Sequence, residues 1–495
     1  MAKNRRRTQK KRTKKSRRMY FVARHSAMTN SLLSDVGQVK RIDVLPDDVL
    51  LEIFDFYMKM HPSYSNKGWI EVWQFLVHVC RRWRSLVLAS PRRLNLQLYC
   101  SPKTPARDVL DVWPTLPLVI RGSMTLSSTK NVIAALEQSN RVCRVNLLDL
   151  ADPQLEEILA TMQVPFPELT DLELISGDKT LSVVPDSFLD GSAPRLRDFI
   201  LDGISFPGLP KLLLSSNHLL YLSLSNIPHD SGYISPEAVV AFISVLSSLE
   251  ELTLGFQSPR SRPDWETRPP PPPNRSVIPA LRSLRFKGVI EYLEDLVTRI
   301  DTPQVKGMDI TFFNQIDFHT PQLARFINRT PKLTKHGAHV QFNDNFARVA
   351  LPPLSRTLEI ATSCKEPDWQ LSFIEQVCNS SLYPLSSVED LYIVHRYRQL
   401  VWKDNATENT QWLQLLLPFA AVKNLYLSKE SAPGIAAALQ ELVGGGITHV
   451  LPSLQNIFVK GLEPSGPFQE RIGQFVAARQ QSDHPISIAV WDKYL

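Results

Sequence analysis

The chain has 495 residues, and 56 Lys+Arg against 49 Asp+Glu give a formal net charge of +7. Residues 1–18 hold 11 basic residues and no acidic one, which leaves 45 basic against 49 acidic, a net of −4, for the rest. The charge is a local basic segment on a mildly acidic body and gives no support to a nucleic-acid-binding domain, while Pro (37) exceeding Gly (19) argues against Gly-rich phosphate loops.

Residues 1–40 are expected to form a disordered basic tail. Arg5, Arg6, Arg7, Lys10, Lys11, Arg12, Lys14, Lys15, Arg17 and Arg18 repel one another, and few apolar residues offset the entropy of ordering them. Two readings stand: a solvated tail with nonspecific polyanion affinity, or a nuclear-import signal recognised by an importin. No aromatic residue precedes Tyr20 to stack on bases, so specific nucleic-acid binding is not expected. The apolar run that follows, Met19–Ala23, is too short for a signal-peptide core, and no stretch approaches the length of a membrane span. The five cysteines are odd in number and unpaired in spacing, which fits a reducing intracellular compartment, nucleus or cytoplasm.

Ordered structure is expected from Ile42. Pro46 suits the first position of a helix, and Asp47 and Asp48 suit its positive end. Val49, Ile53 and Tyr57 form one apolar row, and Leu50 and Phe54 a second. After a polar loop over 58–68, Trp69, Val72, Trp73, Leu76, Val79/Cys80, Trp83 and Leu86/Val87 predict one further helix that Pro91 ends. Cys80 falls on its apolar stripe and is expected to pack. Two such helices carry more apolar surface than about 50 residues enclose alone, which points to a partner.

Leu45, Pro46, Asp48, Val49, Ile53 and Phe54, followed by His78-Val79-Cys80-Arg81-Arg82-Trp83-Arg84, resemble an F-box over residues 42–90. The continuations Leu88–Cys100 and Asp111–Gly122 are similar to F-box proteins of the mushroom lineage of fungi. The resemblance implies binding of a Skp-family adaptor, and through it a cullin–RING core, by Leu45, Pro46, Val49, Ile53, Phe54, Val79, Cys80 and Trp83. Two helices in a private core are the plainer alternative.

Residues 91–138 are expected to be a linker or an N-terminal cap. From 139 to 495 a unit apolar-x-x-apolar-x-apolar returns: Val142/Val145/Leu147, Leu169/Leu172/Leu174, Leu196/Phe199/Leu201, Leu219/Leu222/Leu224, Leu249/Leu252/Leu254, Leu281/Leu284/Phe286 and Val305/Met308/Ile310. Leu333/His336/Ala338 is a degraded copy, one more is expected near Leu358–Ile360, and Val388/Leu391/Ile393, Val422/Leu425/Leu427 and Leu454/Ile457/Val459 follow. The mean spacing of about 28 residues lies within the leucine-rich-repeat range. Helical patterns between copies, such as the one opened by Ser235 and Pro236, complete a strand-plus-helix unit. The expected fold class is α/β: an α-helical F-box followed by an irregular solenoid that resembles leucine-rich-repeat F-box proteins. A Pro-rich stretch over 257–277 reads as a loop insertion with polyproline II character.

No HExxH, GxSxG, GxGxxG or P-loop occurs, and Gly444-Gly445-Gly446 reads as a turn. His336 and His339 share a helical spacing without a third ligand, so neither a metal nor another cofactor is expected, and the chain is not expected to be an enzyme. A solenoid of this kind binds through its strand face. Tyr392, Tyr426 and Phe458 occupy one position in the last three copies and predict an aromatic ladder. With His395, Asn424, Asn456 and Lys460 they are the candidate residues for an unidentified target protein; aromatics that merely cover the sheet are the alternative. The expected function is that of a target-receptor subunit of an SCF-type ubiquitin ligase, with a nuclear scaffold whose helices only cap the solenoid as the alternative.

Overall fold

The computed structural model describes residues 42–60, 72–103, 105–124, 129–177, 182–206, 211–228, 233–259, 274–313, 318–330, 337–351, 358–380, 382, 385–395, 406–461 and 467–491. The basic tail, residues 61–68 of the loop expected over 58–68, and the proline run within 257–277 lie outside the described residues; residues 58–60 are the end of a helix. The chain divides into two compact units, Met1–Leu96 and Gln97–Leu495.

In the first unit a 3-10 turn, Ile42–Val44, leads into α1 (Asp47–Met60), and α2 (Val72–Val77) and α3 (Arg81–Ala89) follow. Pro46 accepts the first backbone bond of α1 from Leu50 at 3.0 Å, so it stands at the cap, one position before the first helical residue. The single helix expected across the Trp69–Val87 periodicity is two helices. The break is at Cys80, whose backbone is extended (φ −157°, ψ 171°) and whose Sγ accepts the N–H of Trp83 at 3.5 Å. Cys80 is therefore an exposed N-cap, not a packed member of a continuous stripe. The core of the unit is Leu50, Leu51, Phe54, Trp73, Leu76, Val77 and Val87, each at most 7% exposed.

The second unit is mixed α/β and is built on a mostly parallel sheet of sixteen strands. Its first strands are β1 (Leu98–Cys100), β2 (Leu118–Ser123), β3 (Val142–Leu150), β4 (Asp171–Ser176), β5 (Asp198–Asp202), β6 (Tyr221–Ile227) and β7 (Glu251–Phe256). After β8 (Ser276–Val277) come β9 (Ser283–Gly288), β10 (Ile300–Asp301) and β11 (Gly307–Phe313), with β8 and β10 forming a separate two-stranded sheet. The remaining strands are β12 (Ala338–Asn343), β13 (Phe346–Leu351), β14 (Leu358–Ser363), β15 (Asp390–His395), β16 (Asn424–Leu427), β17 (Asn456–Val459) and β18 (Ser487–Val490).

The apolar-x-x-apolar-x-apolar unit works as its spacing demands. Its last two positions alternate along a strand and fall on the covered face. Val145, Leu172, Phe199, Leu222, Leu252, Leu284, Met308 and Leu358 lie in register across eight strands and are all buried. Leu147, Leu174, Leu201, Leu224, Leu254, Phe286, Ile310 and Ile360 form the next buried column. Each such side chain contributes roughly 1.5–3 kcal/mol by leaving water. Helices between the strands complete a second layer. Within it α4 (Ala106–Val112), α5 (Thr129–Leu136) and α6 (Asp152–Thr161) touch in succession. So do α8 (Pro236–Ile243), α9 (Ile290–Arg299) and α10 (Pro321–Asn328), after a short α7 (Lys211–Ser215). The last run is α11 (Pro367–Asn379), α12 (Ala406–Leu416), α13 (Ala432–Gln440) and α14 (Pro467–Gln481). Gly434 of α13 lies on the indole of Trp412 in α12, where a Cβ would stand 3.1 Å from Nε1.

Two features differ from the sequence expectation. The sheet starts at β1 and β2, inside the 91–138 stretch read as a linker or cap. And the strands do not all follow in chain order: the sheet runs β11-β14-β13-β12-β15, with β13 antiparallel to both neighbours. The degraded copy at Ala338 is thus the outer strand of a β12–β13–β14 meander, and the copy expected near Leu358 is the strand that pairs with β11.

Candidate functional site

In the first unit, one arginine fixes the entry to α1. Arg82 donates from Nε and Nη2 to Asp47 Oδ1 (3.1 and 2.6 Å) and from Nη2 to the Leu45 carbonyl at 2.6 Å. Phe54 is fully buried and its ring lies 4.6 Å from that of Trp83, at 58°. Phe54 is thereby a core residue of its own unit, not a surface anchor, and Trp83 is half-buried against it. Leu45 is half-buried; Pro46, Val49, Ile53, Val79 and Cys80 are exposed. The sequence reading missed the most exposed members. Val49 (38% exposed), Ile53 (41%), Phe56 (66%) and Met60 (62%) fall at steps of four, three and four, so they share one stripe of α1. Phe75 (54%) and Val79 (59%) add apolar surface near the α2–α3 junction. The spacing of Phe56 and Met60 was the signal that locates them.

In the second unit, four successive parallel neighbours, β12, β15, β16 and β17, carry an aromatic column. His339 pairs with Tyr392, Tyr392 with Tyr426 and Tyr426 with Phe458 in the strand register. Their rings stack at 4.3 Å (14°), 4.3 Å (8°) and 4.7 Å (11°), close to the spacing of neighbouring strands. Tyr392, Tyr426 and Phe458 form the expected ladder, and His339 extends it. His339 sits on a strand, so its helical spacing from His336 has no structural meaning; His336 lies outside the described residues. Burial, and then the Arg348 charge, lower the pKa of His339 and favour the neutral imidazole. Burial raises Tyr392 to about 12, with the Tyr426 hydroxyl as the next cause, so the phenol is neutral at physiological pH.

A polar column runs beside the ladder. Asn424 Nδ2 donates to Asp390 Oδ1 at 2.9 Å, Asn456 Nδ2 to Asn424 Oδ1 at 2.8 Å, and Ser487 Oγ to Asn456 Oδ1 at 2.6 Å. Asn424 and Asn456 therefore spend hydrogen-bonding capacity on each other and fix the register of β15–β18. Lys460 is exposed at the next outward position. His395 is not on this face. It has the parity of Leu391 and Ile393, is 5% exposed, and packs on the covered side, with neither ring nitrogen hydrogen-bonded among the described residues. Burial lowers its pKa.

Trp491, which the sequence reading passed over, lies across the ladder. It follows β18, is 7% exposed, and has its ring 5.6 Å from Tyr426 and 6.0 Å from Tyr392. Toward the middle of the sheet, Arg348 holds Gln341 and Glu359 (2.6–2.9 Å) on the strands flanking β13. At the N-terminal end the same face is acidic: Asp171 and Asp198 are register neighbours, and Arg144 lies 3.2 Å from Asp171. Among the described residues no group of three or more His, Cys, Asp or Glu is placed to hold a metal ion, and no helix is long and apolar enough to cross a membrane. Neither a protein-family model nor a curated protein matches the chain.

Proposed function

We propose that the chain is the target-receptor subunit of an SCF-type ubiquitin ligase, a non-catalytic role. Residues 42–90 would act as the F-box and bind a Skp-family adaptor, and the strand face of the leucine-rich-repeat-like second unit would bind the target. The observation that carries the reading is the Val49–Ile53–Phe56–Met60 stripe, which leaves four large apolar side chains in water on one helix directly after Leu45-Pro46. Soluble units rarely keep such a stripe uncovered, and a docked partner accounts for it. The ladder of Tyr392, Tyr426 and Phe458 supports the second half, since stacked aromatics on a strand face suit a protein-binding hot spot. The mechanism is proximity: the receptor raises the effective concentration of target near the charged E2 and makes or breaks no bond itself. The basic tail would supply nuclear address in this scheme.

One observation favours the alternative, a scaffold in which the N-terminal helices are only a cap. Phe54 and Trp83 satisfy each other, and Arg82 closes the Leu45–Asp47 entry from within. Affinity purification from cells decides between them. The ligase reading expects a Skp-family adaptor with wild type and its loss with Ile53→Asp/Phe56→Asp. Absence of adaptor from wild type, or its persistence in the variant, contradicts it.

A further inference from the structure

The second unit already holds an aromatic side chain against its ladder, and that side chain directly follows its own strand β18. Tyr426 meets the Trp491 ring edge-on (63°) and Tyr392 meets it tilted (55°), an arrangement favoured by the ring quadrupoles. The strand that precedes the indole is a short edge strand. β18 is four residues long and, among the described residues, ends the sheet and pairs only with β17. Its Ser487 and Val490 are exposed, Ile488 and Ala489 half-buried, and only the flanking Ile486 (8%) and Trp491 (7%) are buried. The strand carries neither Pro nor Lys, the usual guards of an open edge. The face thus combines a seat for one large aromatic ring with a short strand that fills the seat from inside.

We propose that the Tyr392–Tyr426–Phe458 strip is a reader of an aromatic side chain on an extended segment of the target, and that Trp491 occupies this seat as an internal surrogate. The proposal rests on the target-binding reading of this face and names the chemistry that it selects. Recognition then requires the target's ring to displace Trp491, so the free receptor binds weakly until the indole swings out. The Asp390–Asn424–Asn456–Ser487 chain keeps the strands in register while the ring exchanges.

The test uses the full chain and a synthetic peptide, acetyl-AVWDK-amide, which repeats residues 489–493. Calorimetric titration compares wild type with Trp491→Ala. The variant, with its seat vacated, should bind the peptide in a saturable 1:1 manner. Wild type should bind at least about tenfold more weakly, because its open state is a minority. The peptide with Ala in place of Trp should not bind the variant. Adding Tyr426→Ser to Trp491→Ala should abolish binding, and circular dichroism melts identify any variant that has lost its fold; Tyr426→Phe, which keeps the stack, should retain binding. Equal affinity of wild type and variant, no binding to either, or equal binding of the Ala peptide overturns the proposal. So does a wild type that sediments as a dimer while Trp491→Ala sediments as a monomer, since the indole would then serve a second copy. None of these readouts involves the adaptor, so failure here leaves the ligase reading untouched, and loss of adaptor binding leaves this one untouched.

Discussion

Asp198→Asn should stabilise the protein above pH 6 and do almost nothing in acid. Asp198 lies on the strand face beside Asp171. Burial is the largest cause that raises its pKa from 3.8 to about 6, followed by the hydrogen bond to Asp171 and that carboxylate's charge. The sign follows from linkage. Below pH 3.8 the group is protonated folded or unfolded and costs nothing. Between 3.8 and 6 the unfolded chain releases the proton first, so folding becomes progressively less favourable; above 6 the whole cost is present. Taken at face value the difference is about 3 kcal/mol. Asp198 is only half-buried, and solvent screening reduces the expected figure to about 1 kcal/mol. Asparagine keeps the shape and, through Nδ2, a donor to Asp171, but removes the repulsion. Urea unfolding of both proteins at pH 4 and pH 8 measures this. The expected result is a gain of about 1 kcal/mol at pH 8 that mostly disappears at pH 4. A loss at pH 8, or the same gain at both pH values, refutes the reasoning.

Arg479, Tyr426 and the cysteines carry three further outcomes. Arg479 is fully buried and donates to the carbonyls of Ile447, Leu451, Pro452 and Leu454 at 3.2–3.4 Å, which ties α14 to the loop before β17. Arg479→Ala should cost about 3–5 kcal/mol in urea unfolding and raise amide exchange first at β17 and β18. Tyr426→Ser removes both of its ring stacks and the Trp491 contact, and should cost about 1–3 kcal/mol. Cys378 is buried and its pKa is pushed far up by burial, whereas Cys80 is exposed. A maleimide reagent should therefore label Cys80 within minutes and Cys378 only as fast as the chain unfolds, as mass spectrometry of peptides would show.

The strand positions were legible because one periodicity serves both the strand and its buried columns: every copy from Val142 to Met308 lies where its leucines alternate. The order of the strands was not. Phe346–Leu351 alternates cleanly but lacks the repeat's leading residue, and nothing local says that β13 turns back between β14 and β12. The N-terminal helix break was hidden for a related reason. Val79 and Cys80 keep the apolar spacing, but the backbone turns at Cys80, and a thiol is a weak enough cap that its type did not announce one. His395 was misplaced by parity alone: it stands an odd step from Tyr392, so alternation puts it on the covered side. Trp491 was illegible because its contacts are two and three strands away, and only the assembled sheet brings it to Tyr426 and Tyr392.

The central claim is that the α1 stripe docks an adaptor, and binding of purified components measures it most directly. Titration of a purified Skp-family adaptor into the full chain should give a saturable 1:1 complex for wild type. Ile53→Asp, which places a charge in the middle of the exposed stripe without touching Phe54 or Leu50, should weaken it by at least about 100-fold. No binding by wild type, or the same affinity with Ile53→Asp, would contradict the account.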